Sequence, residues 1–159
     1  METELKKLEK KFEGLTLYDA GLPGFQRNFS RDSIIAAILS ENMKMLKDQL
    51  IFSAIMQGKN RNAYSGEEPG KIHHEYPGVE IDGLSTEYNA CDTTALFLIG
   101  HEIYLKLTKD ISLLNSQLRN INMAVSYIVS HLKNNAFYES PEFAGAKRFA
   151  LKVTYWKDS

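Results

Sequence analysis

Residues 92–108 constrain the fold most, because Ala95, Leu96, Phe97, Leu98, Ile99, Ile103, Tyr104 and Leu107 leave a helical segment with almost no polar face. A surface helix keeps one apolar stripe and a polar back, whereas a helix apolar nearly all round has to be enclosed by other elements. The composition therefore predicts an inner helix, and the rest of the chain must supply its cover. Residues 112–133 fit that role, with Leu114, Leu118, Ile121, Val125, Ile128 and Leu132 in three-and-four steps and polar residues opposite. The same pairing comes earlier in the chain. Residues 31–45 place Ile34, Ile35, Ile38 and Leu39 on one face with Ala36 and Ala37 beside them, and Ser30 stands where it can cap the helix. Residues 46–57 then align Leu46, Leu50, Ile51, Ala54 and Ile55 after a very short connection, which predicts an antiparallel helical hairpin stopped by Gly58.

An aspartate followed by a hydroxyl residue recurs at Asp32-Ser33, Asp92-Thr93 and Asp158-Ser159, spaced 60 and 66 residues apart. The first two each open a buried helix followed by a more amphipathic one, so the period is one helical hairpin plus its long loop. This predicts an all-α fold, a partial α/α toroid of antiparallel hairpins with long rim loops, in which the chain stops as a third hairpin begins. Residues 2–12 carry a narrow stripe of Leu5, Leu8 and Phe12 and are predicted as an outer helix. Residues 14–29 and 59–90 lack regular periodicity and are predicted as loop; one as long as 59–90 within a compact domain is usually functional.

The 159 residues suffice for one domain, 1–159, with a real core, and 43% hydrophobic against 25% charged residues excludes disorder and membrane spanning. A net charge of -1 and no long run of Lys or Arg exclude a nucleic-acid or anionic-membrane footprint. Cys91 is the only cysteine, so no internal disulfide or cysteine-built zinc site forms, and the first twelve residues lack the apolar run of a signal peptide. Both features predict a cytoplasmic protein.

The chemistry-bearing residues concentrate in the loop Tyr64-Ser65-Gly66-Glu67-Glu68-Pro69-Gly70-Lys71-Ile72-His73-His74-Glu75, whose hydrogen-bonding groups suggest a polar ligand. Adjacent histidines in a loop lack the helical His-x-x-x-His spacing that directs two imidazoles at one ion, so no metal is predicted. The acids of Gly66-Glu67-Glu68-Pro69-Gly70-Lys71 would repel phosphate, and the Walker spacing is absent. Asp32 and Asp92 read either as helix N-terminal acids that satisfy free amides or, at matching positions of a repeat, as acids sharing a ligand on one rim. Arg31 beside Asp32 fits a surface salt bridge or a hydroxyl-reading clamp. Cys91 has no base identifiable in the sequence and is read as core packing. Trp156 with Lys157 and Asp158 fits a sugar subsite, an aromatic ring beside a carboxylate, as well as terminal packing.

Five stretches taken in order carry a resemblance. Ala20-Gly21-Leu22-Pro23-Gly24-Phe25, then Phe29-Ser30-Arg31-Asp32-Ser33-Ile34-Ile35-Ala36-Ala37, then Gly66 to Glu75 as written above, then Tyr88-Asn89-Ala90-Cys91-Asp92-Thr93-Thr94-Ala95-Leu96-Phe97, and finally Trp156-Lys157-Asp158-Ser159 resemble successive motifs of glycogen-debranching-like amylo-α-1,6-glucosidases of the six-hairpin glycosidase superfamily. The resemblance runs from about residue 15 to the end. It implies an (α/α)6 barrel with its active site at the rim, and inverting hydrolysis of an α-glucosidic bond. In such enzymes one acid protonates the leaving oxygen while a carboxylate roughly 6.5 to 9.5 Å away activates water. Carried over by motif, Asp158 falls at the general acid, and Arg31, Asp32, Lys71, His74, Glu75 and Asp92 fall in the pocket wall that grips the terminal sugar. Trp156 would flank the cleaved bond.

The implied partner is an oligosaccharide or glucan, and the resemblance implies no metal and no organic cofactor. Gly24 and Ser30 stand where the family usually shows Trp and Gly, which thins an aromatic wall. The family's catalytic base comes from a later hairpin, so the expectation is an N-terminal portion of such a barrel, doubtful as a hydrolase alone. The rival expectation is a non-catalytic sugar-binding module that self-associates as a homo-oligomer or pairs with a missing C-terminal half.

Overall fold

The computed structural model describes residues 2–155. Its helical layer is built from α2 (Ser30–Leu39), α3 (Met43–Ile55), α4 (Thr93–Thr108) and α6 (Leu118–Ser130), with α1 (Glu2–Leu8) and α5 (Ser112–Ser116) as short flanking helices. Helices α2, α3 and α4 pack mutually, and α6 covers α4. Ile34, Leu46, Leu50, Ile72 and Phe97 are wholly removed from solvent at their junction, each contributing about 1.5–3 kcal/mol of burial.

The predicted all-α, partial (α/α)6 toroid is overturned. Helix makes up 43% and strand 16% of the structure, with six helices and four two-stranded antiparallel sheets among the described residues, so the fold is mixed α and β. The cause lies in two-residue turns whose central residues both take positive φ, the geometry that matches the twist of paired strands. Glu13-Gly14 (φ 46° and 86°) joins β1 (Glu9–Phe12) to β2 (Leu15–Tyr18). Asp82-Gly83 (50° and 77°) joins β5 (Glu80–Ile81) to β6 (Leu84–Ser85), and Asn134-Asn135 (52° and 61°) joins β7 (Leu132–Lys133) to β8 (Ala136–Phe137).

The helix expected over residues 2–12 therefore ends at Leu8. Its Phe12 becomes a strand residue whose ring meets Phe52 edge-on at 5.0 Å, while Asp48 of α3 accepts from the Thr16 amide at 3.0 Å. The fourth sheet pairs β3 (Asn28–Phe29) with β4 (Glu75–Tyr76), so the loop before α2 and the long loop before α4 are tied together.

Helix boundaries also shift. The helix expected to run to residue 45 stops at Leu39, because Glu41 turns left-handed (φ 52°) and the Asn42 side chain accepts from the Met45 amide to start α3. The helix expected over residues 112–133 breaks at Gln117, whose side-chain oxygen lies 2.9 Å from His101 Nε2. Helix α4 is not enclosed all round: Phe97, Gly100, His101 and Tyr104 are buried, while Ile99 (44%) and Leu107 (59%) face out. No helix among the described residues is long and apolar enough to cross a membrane.

Candidate functional site

The N-terminal ends of α2 and α4 leave backbone amides without intrahelical partners, and residues 72–76 run across both ends. Phe29 is paired with Glu75 in the β3–β4 ladder, and the Ser30 amide donates to the His74 carbonyl at 3.0 Å. At the α4 end, the Thr93 hydroxyl donates to the Ile72 carbonyl (2.9 Å) and the Ile72 amide to the Thr94 hydroxyl (3.0 Å). The polar loop is thereby fixed to the rim by its backbone, leaving its side chains to be placed by the pairing register.

Arg31 and Asp92, 61 residues apart, meet across this rim. The guanidinium donates from Nε to Asp92 Oδ2 (2.8 Å) and from Nη2 to Oδ1 (3.0 Å), a two-pronged pair of the strong, geometrically specific kind. The Arg31 side chain is 8% exposed and that of Asp92 31%, so only the carboxylate opens to solvent. Asp92 occupies the N-cap of α4 but makes no side-chain cap bond, so its capping role is replaced by the ion pair. Asp32, in the first turn of α2, is exposed and lines a small cavity of about 90 Å³ with Asp19, Leu5, Leu8 and Tyr18 beneath α1.

Glu75 is used up by the protein. Its Oε2 accepts from Arg27 Nε at 2.5 Å, its Oε1 accepts a very short bond from the Thr86 hydroxyl, and its side chain is 4% exposed. His74 is buried, its ring edge-on to Phe29 at 5.3 Å and its Nδ1 4.0 Å from Glu75 Oε1. His73 lies deeper, with Nε2 2.9 Å from the Ser30 hydroxyl and its ring edge-on to Phe52. Burial, aided by the neighbouring His74, pushes the His73 imidazole down to about 3, so it stays neutral. Among the described residues no group of three or more His, Cys, Asp or Glu is arranged to hold a metal ion.

Lys71 is wholly buried, donating to Glu139 Oε1 at 2.6 Å with its ammonium 5.1 Å from the Phe149 ring centre. Around this pair, Glu68 lies 3.0 Å from His131 through its Oε2, while Glu68 Oε1, Tyr127 OH and Glu139 Oε2 have no hydrogen-bond partner among the described residues. Desolvation, with Glu139 and Glu68 adding to it, pushes the Tyr127 phenol up. The Cys91 thiol is half-buried and is also pushed up, by burial first and then by Glu139 and Asp92. The loop is pressed so closely onto α6 that a Cβ at Gly70 (φ 89°) would stand 2.3 Å from the Met123 carbonyl oxygen.

Of the residues singled out in the sequence, the structure brings Arg31 and Asp92 together and buries His74 and Glu75 alongside Phe29 and Ser30 at the start of α2. It puts Lys71 in the interior and Asp32 on the α1 side. Trp156 and Asp158 lie outside the described residues. The chain leading to them is held against the rim, where the Leu151 amide donates to Asn89 Oδ1 (3.1 Å) and the Cys91 amide to the Thr154 carbonyl (2.8 Å). Arg27, Thr86 and Glu139 were not expected. Their roles depend on pairings of 48, 11 and 68 residues that no local pattern announces.

On the open side, Phe25 is 59% exposed and edge-on to the buried Phe29, giving the rim an aromatic lip. The arrangement suits recognition of a neutral polar ligand: an oriented carboxylate, an aromatic edge, and a buried frame whose own hydrogen bonds hold it rigid. Compared with known proteins, the chain matches no protein-family model and no curated protein sequence.

Proposed function

We propose that this chain recognises an α-glucosidic oligosaccharide or glucan at the rim formed by the starts of α2 and α4, as part of a glycoside hydrolase-like protein of the glycogen-debranching type. The observation that carries the reading is the Arg31–Asp92 fork. A carboxylate offers about four lone-pair sites; Arg31 takes two, one on each oxygen, and the remainder on the open side suit neighbouring sugar hydroxyls. Five ordered motifs that resemble those of amylo-α-1,6-glucosidases add the substrate class.

In this reading Asp158 is the general acid of an inverting mechanism and Trp156 borders the cleaved bond. Asp92 faces the sugar, His74, Glu75 and Lys71 act as the buried frame of the pocket, and Asp32 faces the cavity beneath α1 instead of the sugar. No residue of this sequence is assigned as the water-activating carboxylate. The protein works in the cytoplasm, where its single thiol stays reduced.

Saturation-transfer NMR tests the proposal. Isomaltose and panose should show transfer from the protein, reduced in Asp92→Asn, while cellobiose shows none. Equal signals for all three sugars, or none from isomaltose, would overturn it.

A second reading, a non-catalytic binding module that self-associates, is favoured by the exposed apolar flanks Ile35 and Leu39 of α2 and Ile99 and Leu107 of α4. Light scattering decides it: a dimer or larger species supports this reading, and a monomer that melts cooperatively removes it.

A further inference from the structure

A second groove of about 440 Å³ lies between the loop at Ala63-Tyr64, the β5–β6 turn at Asp82-Gly83 and the chain at Lys147-Arg148. Its volume falls in the range of small-ligand sites, roughly 300–1,000 Å³. Tyr64 forms one wall. The residue is 47% exposed yet fixed along its length, its amide donating to Asn62 Oδ1 (2.9 Å), its carbonyl accepting from Ser85 (2.7 Å) and its phenol donating to Glu80 Oε2 (3.1 Å). A fixed, half-open aromatic loses little freedom on binding, which is what makes such rings effective anchors.

Arg148 and Asp82 form another wall. Arg148 Nη2 donates to the Asp82 carbonyl (3.1 Å), and Nη1 lies 3.7 Å from Asp82 Oδ2. The two side chains are 53% and 77% exposed, so donors of the guanidinium and acceptors of the carboxylate remain open side by side. At Gly83 a Cβ would meet nothing within 4 Å, so the turn leaves the groove clear.

This chemistry selects among ligands. An anion would meet Lys147 and Arg148 but also Asp82 and Glu80. An apolar peptide would strand charged groups without hydrogen bonds, at a cost. A neutral polyhydroxylated chain satisfies both walls, with its apolar ring face toward Tyr64 and its hydroxyls toward Arg148 and Asp82. The groove also adjoins the rim's interior frame, since Phe149, next to Arg148, packs over Lys71. We infer that this groove is a second glucan-binding site, holding a stretch of the α-glucan chain away from the Arg31–Asp92 rim. The inference rests on the proposed substrate class.

Affinity electrophoresis of the full chain in gels containing soluble glycogen tests it, alongside saturation transfer from isomaltose at the rim. Tyr64→Ala should weaken glycogen retention about fivefold or more, the effect of losing an aromatic anchor. Arg148→Ala should weaken it too, Tyr64→Phe should retain it, and all three should leave the isomaltose signal intact. Wild-type retention that is absent, or unchanged in both Tyr64→Ala and Arg148→Ala, overturns the second site. Retention lost only in Asp92→Asn also overturns it while leaving the rim reading standing. Tyr64-dependent retention without an isomaltose signal would uphold the groove and sink the rim.

Discussion

The buried pair of Lys71 and Glu139 offers the sharpest quantitative test of how the rim is framed. The two charges sit 2.6 Å apart with side-chain exposures of 0% and 6%. Removing one partner of such a pair leaves an uncompensated buried charge and costs about 3–5 kcal/mol, whereas replacing both with apolar groups of similar volume is often neutral or stabilising. Against a total stability of about 5–15 kcal/mol, Glu139→Ala alone removes a large share. With a urea m-value of about 2 kcal/mol/M, its unfolding midpoint should fall by about 1.5–2.5 M.

Lys71→Met and Glu139→Leu should each fall comparably, and the two together should recover most of the loss, a strongly non-additive cycle. Urea titrations followed by circular dichroism at pH 7 measure all four states. A Glu139→Ala midpoint within about 0.3 M of wild type, or simple addition of the two single effects, would refute the reasoning. The double variant carries a functional consequence as well. Because Lys71 is sealed from solvent, its loss within a stable protein should leave isomaltose binding intact, contrary to the sugar-contacting role that the family resemblance implies.

Three further expectations follow from single residues. His73 is neutral when folded, with its pKa lowered to about 3 from 6.5, so the unfolded chain binds the extra proton. Its contribution is complete above pH 6.5 and is lost as pH falls toward 3, at about 1.4 kcal/mol per unit; stability measured from pH 7 to 5 should fall less steeply in His73→Gln than in wild type. Gly70→Ala meets both positive φ and the Met123 carbonyl, and should cost more than about 3 kcal/mol, whereas Gly83→Ala, at φ 77° in open space, should cost about 1–2 kcal/mol by thermal melting. The Cys91 thiol, raised by burial, Glu139 and Asp92, should react with a disulfide reagent at pH 8 at least about tenfold more slowly in the folded protein than in urea; equal rates would contradict its placement.

Helices were the legible part of this chain, because burial on one face writes a period of three to four residues over many positions. The α2–α3 segment was recognisable, and α4 begins and ends within a residue of the segment expected over 92–108. The sheets were not legible. Strands of two to four residues are too short to show alternation, and the β3–β4 pairing joins Asn28–Phe29 to Glu75–Tyr76 across a whole helical hairpin. Only the turns left a trace: Asp82-Gly83 and Asn134-Asn135 are residue pairs suited to positive φ, as is Gly14 of the first turn, whereas Glu13 beside it takes positive φ against its own preference.

The candidate site divides in the same way. Polar residues at the helix starts could be picked out by position, but their partners could not. Arg31 gave no sign that it would choose Asp92 over its neighbour Asp32, and the carboxylate expected to cap α4 is spent on that ion pair instead. Glu75, expected at a sugar, is committed to Arg27 and Thr86, because an acid buried this deeply must be neutralised and hydrogen-bonded within the protein.

Calorimetric titration of isomaltose into the wild-type chain, and into Asp92→Asn and the Lys71→Met, Glu139→Leu double variant, tests the recognition claim most directly. The wild type should bind saturably, Asp92→Asn should lose at least about tenfold in affinity from removal of a charge-assisted hydrogen bond, and the double variant should change little. Binding indifferent to Asp92, or no saturable heat from any of the three proteins, would contradict that claim.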